Sequence, residues 1–134
     1  MTMPVAVEAN ILARLLLQDD AAQHKKAKAI FEANTHLTAP VTVVLELVWV
    51  LESKDIAPLA IASALFALLL ALPNFKPERL DALLTALRNY QSGMGFADAM
   101  HLALSEKGQK FMTFDKAFVK RANKLGATPG VFLA

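Results

Sequence analysis

The sequence has 134 residues, enough for one domain that buries roughly two thirds of its unfolded surface, so we expect a single domain spanning 1–134. It contains no cysteine, which excludes a disulfide framework, a thiolate metal site and a thiol nucleophile, and is compatible with a cytoplasmic location. The net charge is only +2, although six basic residues lie between positions 107 and 124. These six indicate either a surface for a polyanion or, as is more usual for lysines, solvated helix faces.

The most apolar stretch, residues 59–72, is shorter than the roughly twenty residues of a membrane span, and it predicts a buried helix. The first residues lack the basic region and apolar run of a signal peptide, so we expect no targeting segment and no membrane association. Apolar residues make up 55% of the chain, above the roughly 45–50% of typical soluble domains. This excess suggests that a second subunit covers a helix face.

Short β-branched or apolar runs alternate along the chain with segments of helical composition and spacing. The runs predict strands at 5–7, 37–40 and 110–113, with shorter candidates at 75 and 131–133. The segments between them predict helices at 10–17, 21–32, 43–51, 59–72, 80–90, 98–107 and 116–125. Because parallel strands need crossover connections, this alternation predicts an α/β sandwich on a mostly parallel sheet of four to five short strands.

The predicted helix at 43–51 is apolar nearly all round, which is typical of a buried helix. Glu46 interrupts it, and a carboxylate in such surroundings needs a partner. Trp49 lies one turn further on and is interpreted as a core residue, with a platform for a nucleobase as the alternative.

Two further carboxylates lie among apolar or small residues. Asp98 opens a helix after the loop at 92–95, and Asp115 comes just after the strand at 110–113. Glu8 ends the first predicted strand, and Glu46 follows the second. Since ligands bind outside the carboxyl ends of parallel strands, we expect all four acids to reach one edge of the sheet.

Four crowded carboxylates repel one another unless a cation neutralises them. Donors that are all oxygen favour Mg²⁺ or Mn²⁺, and the scattered histidines do not favour zinc. His101, one turn after Asp98, is interpreted as a structural histidine.

These motifs resemble the PIN-domain family and, within it, the VapC-type ribonuclease toxins of bacterial toxin–antitoxin pairs. The resemblance is carried by residues 7–10, 15–20, 45–51, 96–103 and 113–115, in that order along almost the whole chain. It implies a PIN-like three-layer α/β/α sandwich and metal-dependent hydrolysis of RNA. It also implies three partners: an RNA substrate, a cognate antitoxin protein and a second copy in a homodimer. The apolar helices at 43–51 and 59–72 are the candidate dimer and antitoxin surfaces.

The resemblance also assigns roles within the carboxylate cluster. Glu8, Asp98 and Asp115 would hold Mg²⁺ or Mn²⁺, with Glu46 binding directly or through water. Asn10 and Thr113 would orient carboxylates or waters around the metal. The residues that contact RNA are not assigned.

One motif departs from the family pattern: Glu8-Ala9 stands where the family has Asp followed by Thr or Ser. Glu8 keeps the charge but is longer by one methylene, and a misplacement near 1 Å can cost about a hundredfold in rate. One alternative is therefore a PIN fold with attenuated or lost catalysis that binds RNA or a protein. Another is a helical interaction protein whose acids are ordinary surface residues.

Overall fold

The computed structural model describes residues 3–134 and contains two compact units, the first ending at Leu80 and the second beginning at Asp81. In the first unit, strand β1 (Val5–Ala6) leads into helices α1 (Ala9–Leu17) and α2 (Ala21–Ala33). Strand β2 (Leu37–Thr38) leads into helices α3 (Val41–Ser53) and α4 (Pro58–Ala71). The alternation of strands and helices predicted from the sequence is confirmed in this unit.

The sheet of the first unit is parallel and very short. Val5 pairs with Leu37 and Ala6 with Thr38. A single bridge adds Phe75 beside Leu37, because the backbone N–H of Leu37 donates to Asn74 and its carbonyl accepts from Lys76. Because β1 and β2 run in the same direction, α1 and α3 both begin at the carboxyl edge of this sheet.

Polar side chains fix the ends of α2. The Asp20 carboxylate accepts from the backbone N–H of Gln23 at 3.0 Å and caps the first turn. At the other end, the Asn74 side-chain amide donates to the carbonyls of Phe31 and Asn34 at 2.7 and 3.0 Å. The segment after α4 is thereby tied to the end of α2.

Helix α3 is buried on one face only. Val44, Leu47, Val48 and Leu51 are buried, whereas Glu46 is exposed and Trp49 is 69% exposed. The interpretation of Trp49 as a core residue is therefore wrong. An apolar helix composition shows that some face is buried, but which face depends on the neighbouring elements.

Helix α4 also exposes part of its apolar surface. Ile61, Leu65 and Leu68 are buried, but Leu59 and Leu70 are each 64% exposed. Each fully buried leucine contributes about 1.5–3 kcal/mol to the free energy of unfolding. Among helices within residues 3–134, none is long and apolar enough to cross a membrane.

The second unit contains helix α5 (Leu80–Gln91) from its second residue onward, and helices α6 (Phe96–Leu104) and α7 (Lys116–Leu125). Strand β3 (Phe111–Thr113) lies before α7 and strand β4 (Val131–Leu133) after it. Strands β3 and β4 pair in parallel, with Met112 opposite Phe132. Helix α6 ends at Leu104, before the predicted end at residue 107, because Ser105 has extended backbone angles and its hydroxyl closes the last turn on the His101 carbonyl at 2.6 Å.

The prediction of one mostly parallel sheet of four to five strands is wrong for the described residues, which form two separate two-stranded sheets. The α/β class and the parallel direction of all four strands are confirmed. Strands of two or three residues make so few ladder hydrogen bonds that their composition does not determine how far a sheet continues.

Helices α5 and α7 end in the same way. At the end of α5, Gly93 N–H donates to Tyr90 and Met94 N–H to Asn89; Gly93 has φ +105°. At the end of α7, Gly126 has φ +63°, and the N–H groups of Gly126 and Ala127 donate to Asn123 and Ala122. Both ends are Schellman motifs, in which glycine takes a positive φ that other residues adopt at a cost.

Candidate active site

Asp98 and Asp115 line one pocket of about 200 Å³ in the second unit. Its other walls come from the loop between α5 and α6 and from the first turns of α7: Gly93, Met94, Gly95, Ala117, Phe118 and Arg121. The two acids lie in separate elements, Asp98 in the first turn of α6 and Asp115 at the start of α7. The structure therefore brings together two of the four acids that the sequence analysis named as site residues.

Asp98 is half-buried, and its environment disfavours its charge. Burial raises the pKa of the Asp98 carboxyl above its ordinary value of 3.8, the negative charge of Asp115 raises it further, and His101 acts in the opposite direction. The first turn of a helix favours a negative charge, because the helix dipole is positive there. In the pocket, burial and Asp115 outweigh that effect, and the pKa of Asp98 is raised. A group perturbed by desolvation together with a like charge, inside a pocket, is typical of a functional site.

Asp115 is positioned by the backbone on both sides. Its carboxylate oxygen Oδ1 accepts from the Phe118 N–H at 3.1 Å and caps α7. Its own N–H donates to the Thr113 hydroxyl at 3.0 Å. Thr113 therefore shapes the turn that presents Asp115.

His101 stacks on Phe111 in the second unit, with ring centroids 6.2 Å apart and planes 14° from parallel. Phe111 in turn meets the buried Phe118 edge-on at 5.8 Å. This packing agrees with the interpretation of His101 as a structural histidine. Phe114, between Thr113 and Asp115, points away from such packing and is 88% exposed.

The first unit carries the other predicted site residues. Glu8 occupies the N-cap position of α1 without a side-chain capping hydrogen bond. Asn10, the second residue of α1, is exposed. Both line a pocket of about 430 Å³ between α1 and α2, together with Arg14, Lys26 and other residues. Glu46 is exposed on α3.

The donor set of the second-unit pocket suits a hard divalent cation. Its two carboxylates are oxygen donors, and Mg²⁺ is usually bound through one or two protein carboxylates with waters in its remaining positions. A cation there would also offset the charge repulsion at Asp98. Within residues 3–134, no group of three or more histidine, cysteine, aspartate or glutamate side chains is arranged as a metal site.

A family model, the PIN domain, matches residues 5–124. The chain belongs to the PIN-domain family. PIN domains are generally metal-dependent nucleases, and the family indicates RNA as the substrate class. A comparison with curated proteins found no match. The match covers both carboxylates of the second-unit pocket and also Glu8 and Glu46.

The sequence prediction missed Arg121 as a site residue, although it lines the pocket of this PIN domain together with Asp98 and Asp115. Its guanidinium lies against Gly93: a Cβ on that glycine would be 3.2 Å from the Arg121 Cζ. The helical spacing of Ala117 and Arg121, two positions on one face of α7 just after Asp115, was a signal that could have identified it.

Proposed function

We propose that this PIN domain is a Mg²⁺- or Mn²⁺-dependent endoribonuclease, the toxin of a VapC-type toxin–antitoxin pair. The observation that carries the proposal is the pocket shared by Asp98 and Asp115, in which burial and a second negative charge both disfavour ionised Asp98. When bound, a divalent cation supplies the charge that neutralises these acids, activates water and stabilises the leaving oxygen of an RNA phosphodiester.

The chain supplies position. The cap on α7 and the Thr113 hydroxyl hold the Asp115 carboxylate in one orientation, so little is lost in ordering it when a ligand binds. Asp98 is held at the start of α6 by the helix itself. Two carboxylates fixed on different elements can bind one cation from two directions.

Glu8 and Glu46 are proposed as further acids of the active site, with Glu8 a metal ligand and Asn10 a supporting group. This part of the proposal is supported by the family match and by the connectivity of the first unit, where α1 and α3 both begin at the carboxyl edge of β1 and β2. It predicts that Glu46→Gln lowers cleavage while leaving the fold intact.

The proposal is tested by RNA cleavage with Mn²⁺ or Mg²⁺, comparing wild type with Asp98→Asn. Loss of several kcal/mol of charge stabilisation corresponds to about a hundredfold or more in rate, so Asp98→Asn should be nearly inactive. Glu106→Gln, which removes an exposed charge from the same unit outside the pocket, is the matched control and should cleave as wild type does. Equal cleavage by Asp98→Asn and wild type would mean that the activity comes from elsewhere.

A second candidate is a PIN domain with attenuated chemistry that binds RNA or a protein. The observation in its favour is Glu8, whose side chain is longer than the family's Asp and makes no capping hydrogen bond at the start of α1. Glu8→Asp distinguishes the two. If wild type is inactive and Glu8→Asp cleaves RNA with Mn²⁺, the attenuated form is correct, whereas equal rates favour a competent Glu8.

A toxin of this type would also form a homodimer and bind a cognate antitoxin. The exposed apolar side chains of α3 and α4, namely Trp49, Leu59 and Leu70, support these helices as the candidate surfaces. Light scattering at micromolar concentration gives the mass in solution, and a monomer would count against the dimer. Growth arrest on expression, relieved by a co-expressed partner protein, would support the toxin assignment.

A further inference from the structure

A basic groove of about 270 Å³ runs along α7 beside the carboxylate pocket. It is lined by Ala117, Lys120, Arg121 and Lys124, which recur at the spacing of one helix face. Ala117 and Arg121 also line the pocket that contains Asp98 and Asp115. The positive groove and the acidic pocket are therefore neighbours that share a wall.

The environment of Arg121 distinguishes this groove from an ordinary solvated helix face. Arg121 is half-buried and packs on Gly93, in a pocket that also contains two carboxylates. Even so, none of the ion pairs formed within residues 3–134 involves Arg121. A guanidinium has five N–H donors in a planar fork that matches the oxygens of a phosphate.

We propose that this groove binds the sugar–phosphate backbone of single-stranded RNA, with Arg121 contacting the phosphate nearest the acidic pocket and Lys120 and Lys124 contacting the phosphates that follow. The inference rests on the proposed nuclease function, whose substrate it describes. A strand placed in this way has its phosphodiester beside Asp98 and Asp115, where a cation would act. The positive groove also offsets the repulsion between those acids and the RNA.

Phe114 specifies a single strand over a duplex. It directly precedes Asp115, which lines the acidic pocket, and its side chain is 88% exposed, so its ring is open to solvent. Aromatic side chains next to a basic groove bind unpaired bases by stacking, whereas bases inside a duplex are not available to them. We place an unpaired base next to the bound phosphate on this ring.

The experiment measures binding of a short, fluorescently labelled single-stranded RNA by anisotropy, in EDTA so that no cleavage occurs, over a range of salt concentrations. The test variant is Lys120→Gln/Lys124→Gln, and the matched control is Lys107→Gln/Lys110→Gln. The control removes the same charge from exposed lysines of the same unit that do not line the groove. Circular dichroism verifies that each variant is folded.

Each lost phosphate contact reduces the magnitude of the slope of log affinity against log salt by about 0.7 for a single strand. The slope of the test variant should therefore be smaller in magnitude by about 1.4 than that of wild type, and the slope of the control should be unchanged. Arg121→Gln should lose about 0.7 on the same grounds. Phe114→Ala should weaken binding by about fivefold or more at every salt concentration without changing the slope, since stacking involves no phosphate. A duplex of the same sequence should bind more weakly than the strand.

Equal slopes for the test and control variants would overturn the assignment of this groove as the RNA-binding surface, because binding would then follow net charge alone. No binding by wild type, an unchanged affinity in Phe114→Ala, or tighter binding of the duplex would overturn the single-strand assignment. These results are independent of catalysis. If wild type binds as expected but does not cleave with Mn²⁺, the nuclease proposal fails and the binding surface stands.

Discussion

Replacing Gly93 with alanine tests how the loop before α6 supports the pocket. Gly93 has φ +105°, where an L side chain is strained, and such backbone strain costs about 1–3 kcal/mol. For a chain of 134 residues, 1 kcal/mol corresponds to about 4 °C in Tm, so Gly93→Ala should lower Tm by about 4–12 °C. The new Cβ would also lie 3.2 Å from the Arg121 Cζ, so the guanidinium must move by a few tenths of an ångström.

Two other glycines separate the effect of backbone strain from the effect of contact with Arg121. Gly126 closes α7 with the same hydrogen-bond pattern as Gly93 closes α5, but nothing lies within 4 Å of its Cβ position. Gly126→Ala should therefore lose about 1–2 kcal/mol from backbone strain and leave RNA cleavage unchanged. Gly108 has neither a positive φ nor a neighbour within 4 Å, so Gly108→Ala should be neutral or stabilise by about 0.5 kcal/mol.

Thermal unfolding by circular dichroism and cleavage rates at one Mn²⁺ concentration measure both consequences. Gly93→Ala should lose both stability and activity, and the loss of activity should be smaller than the about hundredfold that a displacement near 1 Å can cause. The reasoning is refuted if Gly93→Ala has the same Tm as wild type. It is also refuted if Gly126→Ala lowers cleavage as much as Gly93→Ala does, because contact with Arg121 would then play no part.

Three further predictions concern the pocket's polar groups. Because the pKa of Asp98 is raised in the folded protein, the folded state binds more protons than the unfolded one above the ordinary value of 3.8, and stability falls as pH rises through the folded-state pKa. Asp98→Asn removes that loss, so its Tm relative to wild type should be higher at about pH 7 than at about pH 4 without metal, and a constant difference would contradict the raised pKa. Asp115→Asn keeps a capping oxygen and should lose cleavage with little loss of Tm, whereas Asp115→Ala should also lose about 1 kcal/mol, or about 4 °C. Thr113→Val removes the acceptor for the Asp115 N–H and should lower both Tm and Mn²⁺ affinity by calorimetry, while Thr113→Ser should restore both.

Local signals in the sequence predicted well where the helices lie. Asp98 lies at the start of α6 as predicted, and the ends of α2 and α7 carry residues typical of such positions, an N-cap aspartate at Asp20 and a C-terminal glycine at Gly126. These features depend on neighbours within a few positions along the chain, which the sequence displays directly.

Features that depend on distant residues were not predicted. The exposed face of α3 is determined by what packs on the helix, so composition alone misplaced Trp49. The extent of the sheet depends on single bridges such as Leu37 with Phe75, which neither residue's neighbours specify. In the sequence, Arg121 is one of six basic residues near the end of the chain, and nothing distinguishes it from the others. Its contact with Gly93, a residue 28 positions earlier, is visible only in the structure.

Trp49 has a practical consequence for studying the protein. It is the sole tryptophan in the sequence, it is 69% exposed, and it lies one helical turn after Glu46. Intrinsic fluorescence excited in the tryptophan band therefore reports on a single place, the outer face of α3. Paramagnetic Mn²⁺ quenches emission only at short range, so a titration with Mn²⁺ and with diamagnetic Mg²⁺ would show optically, without a label, whether a cation binds beside Glu46.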